Sequence, residues 1–212
     1  MYYKTEKNDH NLPHDPFKAL VSPRPIGWIG TRNKFGINNL APYSYFNAIS
    51  DKPYFVMFAS TGFKDSIKNI EETKVFTCSL ATKDLFNKMN YSSASTKYGD
   101  DEFELSGLTP KDGKLVNAPY VDESPAALEC ELWKVIDLPG SDRSSLSGSY
   151  VVFGHVKGIY IDDKYIKDGL FDTRKARPLG RLGYMDYGII NDDNIFSQKR
   201  PQVDKDGNII KD

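Results

Sequence analysis

Two neighbouring segments decide the fold: Ser22-Pro-Arg-Pro-Ile-Gly-Trp-Ile-Gly-Thr31 and Gly36-Ile-Asn-Asn-Leu-Ala-Pro-Tyr-Ser-Tyr-Phe-Asn47. Residues 26–31 are β-rich and predict a strand, a turn follows at 33–36, and residues 40–46 predict a second short strand. Pro42 indicates an edge or a bulge, because proline cannot donate to a ladder. Aromatic and polar residues alternate in the second segment, which suits a barrel wall or the surface of a planar ligand equally well.

The pattern of the rest of the chain also predicts mostly strands. Apolar or alternating runs of strand length occur at residues 54–60, 75–81, 128–132 and 149–161. Gly154 and Gly158 interrupt the last run and predict that it bends, as in a barrel. Helices are predicted at residues 65–73, where Asp65 or Ser66 can cap the start, and at residues 84–94. Since no series of βαβ units occurs, we expect one antiparallel barrel with attached helices.

Composition narrows the classes of partner. The chain of 212 residues carries 28 Lys plus Arg against 29 Asp plus Glu, which gives no support to a nucleic-acid groove. No stretch approaches the roughly 18 apolar residues of a membrane span, and residues 1–16 are polar, so a cytoplasmic location is expected. We predict an N-terminal extension at 1–16, one domain at 17–190 and a polar tail at 191–212. Cys78 and Cys130 lie in apolar segments, so we predict that both thiols are buried. The spacing of the cysteines and histidines does not predict a metal site.

Two further segments are candidates for ligand binding. Ser60-Thr-Gly-Phe-Lys-Asp-Ser66 lies where a strand ends and a helix begins, so its N–H groups, hydroxyls and Lys64 could cradle a phosphate. Ser and Asp there are also ordinary caps. In Arg177-Pro-Leu-Gly-Arg-Leu-Gly-Tyr184, two glycines would let Arg181 approach a ligand, although a surface turn fits as well. No Gly-x-Gly-x-x-Gly fingerprint occurs, and His155 lies within a predicted strand.

In this order, the segments resemble the flavin reductase-like family of FMN-binding split barrels, and most of all its flavoredoxin and ferric and flavin reductase branch. The resemblance spans about residues 17–187, and the residues that carry it are Pro23-Arg-Pro-Ile-Gly-Trp-Ile-Gly-Thr31, Asn39-Leu-Ala-Pro-Tyr-Ser-Tyr-Phe-Asn47, Lys64-Asp-Ser-Ile-Lys-Asn69, Gly154-His155 and Pro178-Leu-Gly-Arg-Leu-Gly-Tyr184. It implies a mainly β fold, an antiparallel six-stranded Greek-key split barrel with attached helices. It also implies a homodimer with FMN near the dimer interface.

The resemblance assigns cofactor-binding residues in three groups. The aromatic strip, which we define as Ala41, Pro42, Tyr43, Ser44, Tyr45, Phe46 and Asn47, would lie along the isoalloxazine through its backbone N–H groups. The turn with Ser60, Thr61, Lys64 and Ser66 would hold the phosphate, with Asp65 capping the helix. Arg181 and Tyr184 would approach the flavin from the C-terminal loop, and His155 would lie near the nicotinamide. No catalytic side chain and no metal are assigned, because the flavin carries the chemistry.

The implied function is that of an NAD(P)H-dependent oxidoreductase of the flavin or ferric reductase type. Flavin N5 would accept a hydride from NADH or NADPH, and electrons would pass to flavin, a ferric complex or a partner protein. A non-enzymatic FMN electron carrier, like flavoredoxin, needs the same pocket and stays open; consumption of NAD(P)H separates the two. A third reading, an oligonucleotide-binding barrel that uses the aromatic strip, expects a basic surface, which the charge balance does not provide.

Overall fold

The computed structural model describes residues 1–210. With about 40% strand and 17% helix the fold is mainly β, as expected. The strands are β1 (Arg24–Pro25), β2 (Gly27–Arg32), β3 (Asn38–Tyr43), β4 (Phe46–Asp51), β5 (Tyr54–Thr61), β6 (Val75–Leu80), β7 (Pro110–Asp112), β8 (Pro119–Val121), β9 (Ala126–Asp137), β10 (Ser149–Ile161), β11 (Ile166–Lys167), β12 (Leu170–Phe171), β13 (Leu179–Arg181), β14 (Tyr187–Ile189), β15 (Gln202–Val203) and β16 (Ile209–Ile210). The helices are α1 (Phe17–Leu20), α2 (Asp65–Thr73), α3 (Phe86–Tyr91), α4 (Glu102–Leu105) and α5 (Thr173–Ala176), and single 3₁₀ turns occupy Lys83–Leu85, Asp163–Tyr165 and Asp192–Asn194.

Seven strands form one antiparallel sheet in the order β3-β2-β6-β9-β10-β5-β4. Its two edges, β3 and β4, are consecutive in the chain, so Ser44 and Tyr45 carry the chain from one edge to the other. The N–H of Ala59 on β5 donates 2.8 Å to the carbonyl of Tyr45, and the ring of Tyr43 lies 4.7 Å from that of Phe58. The sheet is therefore rolled into a barrel whose seam is closed by the aromatic strip.

This seam corrects two expectations. The single strand predicted at residues 40–46 is wrong, because the chain breaks at Ser44 and Tyr45 to change edges and forms two strands. The six strands implied by the resemblance become seven for the same reason. The antiparallel arrangement and the position of Pro42 on an edge strand are confirmed.

The long strand β10 bends where its glycines predict. Its pairing with β9 shifts register between Phe153 and Gly154 and again between Val156 and Gly158. A Cβ on Gly154 would lie 2.3 Å from the buried ring of Phe76, so no larger residue fits there. Because β10 pairs with β5 only as far as His155, its last residues are held by β9 alone, and the barrel is split at that end.

Two apolar clusters hold the fold together. The first fills the barrel and includes Phe58, Phe76, Cys78, Cys130 and Tyr150, so both thiols are buried as predicted. Helix α2 packs its fully buried Ile67 and Ile70 against this cluster. The helix has the predicted bounds, but neither Asp65 nor Ser66 caps it; the N-cap is Lys64, which makes no side-chain cap.

The second cluster lies outside β2 and β3, where α3 and α4 cover Trp28 and Leu40. The helix predicted at residues 84–94 is shorter than expected, because a 3₁₀ turn precedes it and Ser92 follows its end. The Ser92 hydroxyl donates to the carbonyl of Met89 and accepts from the indole N–H of Trp28 at 2.9 Å. These bonds fix the end of α3 against the barrel.

A separate small sheet joins the two ends of the chain. Strand β13 lies between β1 and β14, so Arg24 pairs with Arg181. The predicted tail at residues 191–212 begins with a 3₁₀ turn and contains the exposed hairpin β15–β16; its last two residues lie outside the described part. Among residues 1–210 no helix has the length and apolarity that crossing a membrane requires.

Candidate functional site

A cavity of about 390 Å³ opens between β3, the start of α2 and the loop that follows α3. Its volume falls in the range of small-molecule sites. It is lined by Asn39, Ala41, Pro42, Tyr43, Gly62, Phe63, Lys64, Asp65, Ser66, Ser92, Ser93, Ala94, Ser95, Thr96, Glu102 and Leu146. Six of the residues predicted from the sequence are therefore brought together here: Ala41, Pro42, Tyr43, Lys64, Asp65 and Ser66.

The start of α2 faces this cavity without a side-chain cap. Lys64 is the N-cap residue and is exposed, and the first intrahelical acceptor is its own carbonyl, which binds the N–H of Lys68 at 3.1 Å. The N–H groups of the first turn point out of the helix and carry the positive end of its dipole. An uncapped helix start beside a lysine is a site where an anion is stabilised.

A buried hydroxyl in the same cavity has no partner. Tyr43 is 8% exposed, and its Oη makes no hydrogen bond within the described residues. Burial raises the pKa of Tyr43, and the hydroxyls of Ser66 and Ser60 only partly oppose this rise, so the proton is retained. A buried, unsatisfied hydroxyl costs about 1–3 kcal/mol, and a ligand that accepts from it would remove that cost.

The two serines predicted to hold a phosphate differ in what they can offer. Ser66 Oγ accepts from Asn39 Nδ2 at 3.0 Å, which leaves its own proton for a ligand in the cavity. Ser60 Oγ donates to the carbonyl of Gly62 at 2.9 Å and is fully buried outside the cavity lining. Thr61 next to it is exposed and also outside the lining. Of these three predicted residues, only Ser66 therefore has a hydroxyl proton placed for an anion in the cavity.

Two carboxyl groups also line the cavity. Glu102 is 6% exposed and accepts from the N–H of Leu40 at 3.0 Å and from the hydroxyl of Thr96 at 2.9 Å. Burial raises the pKa of Glu102 and that of Asp65, and the Asp65 charge raises the pKa of Glu102 further. The backbone of Gly99 and the Lys68 charge partly oppose the rise in the pKa of Asp65. Because a carboxylate repels an anion, Asp65 is not suited to bind a phosphate directly.

Several lining residues were missed by the sequence reasoning. The loop Ser92-Ser-Ala-Ser-Thr96 presents a row of hydroxyl-bearing residues opposite α2. This Ser/Thr-rich run was a visible signal of a polar wall. Asn39 lies in a segment that carries the resemblance but was assigned no role, whereas Glu102 and Leu146 gave no local signal, because they reach the cavity only through the tertiary fold.

The remainder of the aromatic strip runs along the seam, away from this cavity. Ser44, Tyr45 and Phe46 are half-buried and Asn47 is exposed. Phe46 lines a second cavity of about 290 Å³ with apolar walls, together with Cys78 and Leu128. The strip therefore connects a polar cavity at Tyr43 with an apolar one at Phe46.

The C-terminal pair, Arg181 and Tyr184, lies in β13 and in the turn that follows it. Arg24 pairs with Arg181 across the small sheet, and its guanidinium lies 6.0 Å from the ring of Tyr45. Arg181 Nη2 donates a hydrogen bond of 2.6 Å to the carbonyl oxygen of Tyr184. Tyr184 is 51% exposed and has a φ of +52°. Neither residue lines the polar cavity. A positive φ is strained for tyrosine and often marks a functional turn.

His155 is not among the residues that line either cavity. Its ring stacks on Phe55 at 4.9 Å with an interplanar angle of 10°. Phe55 also contacts Trp133, which contacts Phe153, at centroid distances of 5.7 and 5.8 Å. His155 thus belongs to an aromatic group on the outer surface of the sheet. We call Phe55, Trp133, Phe153 and His155 the outer aromatic group.

The donors around the polar cavity fit a phosphorylated ligand with a flat ring system. The uncapped start of α2, Lys64, the Ser66 hydroxyl and the unpartnered Tyr43 hydroxyl would meet its phosphate end. The seam, where Ser44 and Tyr45 are half-buried between two sheet edges, would meet the ring. The orphaned hydroxyl of Tyr43 is the observation on which this fit rests.

Comparisons with known proteins bear on the family and the fold of the chain. Residues 20–180 match the family model described as flavin reductase like domain. An uncharacterized protein of Aquifex aeolicus is 34% identical over 189 residues, which cover 86% of this chain and 92% of that protein. Component B of nitrilotriacetate monooxygenase from Bacillus cereus superposes with a TM-score of 0.83 at 23% identity, over 93% of this chain and 98% of its own. Flavoredoxin of Desulfovibrio vulgaris superposes with a TM-score of 0.73 at 23% identity, over 84% of this chain and 91% of its own.

Proposed function

This chain belongs to the flavin reductase-like family, and from that premise we propose that it is an FMN-binding oxidoreductase that takes electrons from NADH or NADPH. Family membership makes it a flavin-related oxidoreductase or electron carrier. The observation that supports FMN in particular is the polar cavity, where the uncapped start of α2 and the unpartnered Tyr43 hydroxyl converge beside Lys64.

The proposed phosphate site uses four kinds of donor. N–H groups of the first turn of α2, the Lys64 ammonium, the Ser66 hydroxyl and the Tyr43 hydroxyl would surround the FMN phosphate. Hydrogen bonds to a charged group contribute about 1.5–3 kcal/mol each. Riboflavin lacks the phosphate, so it would bind more weakly than FMN in the same cavity.

The protein's part in the reaction is to hold and to surround the cofactor. Bound flavin supplies two-electron chemistry by taking a hydride at N5 and passing electrons onward. Backbone N–H groups along the aromatic strip would donate to the isoalloxazine, and Tyr45 and Phe46 would keep water from its edge. No side chain has to act as an acid or base, because the flavin carries the chemistry.

An absorption spectrum of the purified protein tests the cofactor. Flavin bands should survive desalting after reconstitution with FMN, and NADH or NADPH added without air should bleach them. Rapid bleaching, followed by turnover when free flavin or a ferric complex is added, supports the reductase. A colourless protein after reconstitution would overturn the assignment of FMN.

A non-enzymatic electron carrier is the second candidate. The structural likeness to flavoredoxin favours it, since the fold is shared over 84% of this chain. A carrier would hold FMN tightly but would be reduced by NAD(P)H no faster than free FMN. Its reduction by a protein donor at a useful rate would then replace nicotinamide as the electron source.

We also propose that the protein is a homodimer. Trp133, at the centre of the outer aromatic group, is 63% exposed, and Ile49 and Ile136 on the same sheet are 47% and 37% exposed. An apolar surface of this kind favours a protein–protein interface. Two-fold symmetric dimers are the commonest oligomers of soluble proteins, so a second copy is the proposed cover.

A further inference from the structure

Arg24 places a buried positive charge next to the seam. Its side chain is 6% exposed. Its guanidinium donates to the carbonyl of Lys18, to that of Val21 at 2.5 Å and to that of Leu182 at 2.8 Å. These three acceptors lie in α1, in the residue after α1 and in the turn that follows β13. The Arg24 side chain therefore links the N-terminal and C-terminal parts of the chain.

No acidic side chain neutralises this charge. Among residues 1–210 no carboxylate forms an ion pair with Arg24, although ten other pairs are formed. Its Nε is buried and has no hydrogen-bond partner in the described part of the chain. Charged or titratable residues on the surrounding elements are Lys18, Tyr45, Asp51, Arg181, Tyr184 and Asp186. A buried cation without a carboxylate is unusual: its three carbonyl acceptors offset part of the desolvation cost but leave its net charge in place.

The position of this charge relates it to the aromatic strip. The guanidinium carbon of Arg24 lies 6.0 Å from the ring centre of Tyr45. Tyr45 is one of the two residues that carry the chain across the seam. A ligand ring that lies along the seam is therefore close to a full positive charge in a place shielded from water, where Coulomb interactions are stronger than in bulk solvent.

We propose that Arg24 is an electrostatic positioning residue of the flavin site, whose uncompensated charge favours reduced flavin over oxidised flavin. The inference rests on the proposed function, since it requires the isoalloxazine to lie along the aromatic strip. Negative charge develops at the N1–C2=O side of the ring on reduction, and a fixed cation nearby stabilises it. Carbonyl groups hold the guanidinium in place without cancelling its charge, so the full charge is available to the ligand.

The rival explanation is a purely structural clamp. Arg24 joins α1, β1 and the turn at Leu182, and loss of it could loosen this region without any electrostatic effect on flavin. The two explanations differ in which substitution matters. A clamp depends on the shape and the hydrogen bonds of the guanidinium, whereas an electrostatic role depends on the charge, which lysine retains.

The test compares Arg24→Gln and Arg24→Lys, with Lys18→Gln as the control for loss of an exposed cation nearby. The midpoint potential of bound FMN and the affinities for oxidised and reduced FMN are measured on each protein. For Arg24→Gln we expect reduced FMN to lose roughly tenfold in affinity relative to oxidised FMN, a change of about −30 mV for a two-electron couple. Arg24→Lys and Lys18→Gln should stay close to the wild type.

The outcomes separate the electrostatic role of Arg24 from the proposed function. An unchanged potential in Arg24→Gln that still binds FMN overturns the electrostatic role, and so does an equal shift in Arg24→Lys. If Arg24→Gln does not fold or bind FMN, the wild type itself provides the test. Its bound reduced flavin should take up a proton at a lower pH than free reduced FMN does, and an equal or higher pH overturns the inference. A wild type that fails to retain FMN overturns the proposed function instead.

Discussion

The ring of Phe46 lies directly against the backbone of Gly27: a Cβ on Gly27 would be 2.4 Å from Cδ2 of that ring. Gly27 begins β2 and Phe46 begins β4, so this contact joins strands that are not neighbours in the sheet. It allows the chain to cross from the β3 edge to the β4 edge with its aromatic strip close to the barrel. The glycine in Pro23-Arg-Pro-Ile-Gly-Trp28 is thus required by the seam.

Gly27→Ala should damage the seam and the proposed flavin site together. The added methyl group would overlap Phe46, and overpacking of this kind costs roughly 1–3 kcal/mol. We expect a lower melting temperature and weaker FMN binding, measured by thermal unfolding and by flavin fluorescence titration. Gly188→Ala is the matched control, because its nearest neighbour would be 3.7 Å away. Wild-type affinity in Gly27→Ala would show that the strip does not contact the flavin.

Tyr43→Phe should change stability and binding in opposite directions. Removal of the unpartnered hydroxyl relieves a desolvation cost, so the flavin-free protein should be as stable as the wild type or more so, by up to about 1–3 kcal/mol. FMN should bind more weakly, because the phosphate loses a donor. Tyr150→Phe is the control, since that buried hydroxyl donates 2.8 Å to the carbonyl of Ser147 and its loss should destabilise the protein. Denaturant titration and FMN affinity on both variants test this; a destabilised Tyr43→Phe contradicts it.

Lys64→Ala should weaken FMN binding by about one to two orders of magnitude. This follows from about 1.5–3 kcal/mol for a charge-assisted contact, at about 1.4 kcal/mol per decade. Thermal stability without flavin should barely change, because the lysine is exposed and its side chain makes no cap. Riboflavin affinity should be the same in variant and wild type, since riboflavin has no phosphate.

Lys157→Ala removes a cation from β10, where Lys157 pairs with Glu131 at 3.4 Å, and should leave FMN binding unchanged. If Lys64→Ala has a much lower melting temperature than the wild type but the same FMN affinity, the role of Lys64 is structural.

The main strands could be predicted because each carries its own local signal. Residues 75–81 and 54–60 are apolar runs of strand length, and the glycines of β10 mark its bends. The break at Ser44 and Tyr45 could not be predicted, because it depends on where the two sheet edges lie in space. The pattern of residues 40–46 is the same for one strand as for two with a turn between them.

Only some of the residues that line the polar cavity could be predicted from the sequence. Lys64 and Ser66 follow a strand and begin a helix, so their place at a helix start was predictable. The cap assigned to Asp65 was wrong, because the N-cap residue is Lys64, one position earlier, and no side chain caps the helix. Glu102 reaches the cavity from α4 because it accepts from Leu40 on β3, and no periodicity in the sequence signals a pairing of that range.

Glu102→Gln should remove part of the pH dependence of stability. Burial raises the pKa of Glu102 above its ordinary value of 4.5. A carboxyl whose pKa is higher in the folded state stabilises the fold below its unfolded pKa, and this contribution is lost as pH rises through the folded pKa. Glutamine can still accept from Leu40 N–H and can donate to Thr96, so it keeps both contacts without the charge.

We therefore expect Glu102→Gln to melt close to the wild type near pH 4 and to become the more stable protein as pH rises above about 4.5. FMN should also bind a few-fold more tightly at neutral pH, because one carboxylate facing the phosphate is gone. Glu104→Gln on the same helix is the control, since Glu104 is exposed. A stability difference that does not vary with pH would show that the Glu102 charge plays no part.

Trp133→Glu should convert the proposed dimer to a monomer without unfolding it. Trp133 is 63% exposed within one chain, so a charged replacement costs little there, whereas at an interface it would bury an unpaired carboxylate. Aromatic residues at the centre of an interface often carry most of its binding energy. Phe35→Glu is the matched control: Phe35 is 74% exposed in the turn between β2 and β3 and lies outside the outer aromatic group.

Sedimentation of both variants, with and without FMN, measures the outcome. The wild type and Phe35→Glu should sediment as dimers, and added FMN should favour the dimer further if both subunits contact it, because a ligand bound across an interface stabilises the assembled state. In Trp133→Glu the monomer should dominate and FMN should bind more weakly. A wild-type monomer that holds FMN tightly would contradict a site shared between subunits, and a Trp133→Glu dimer would place the interface on another surface of the barrel.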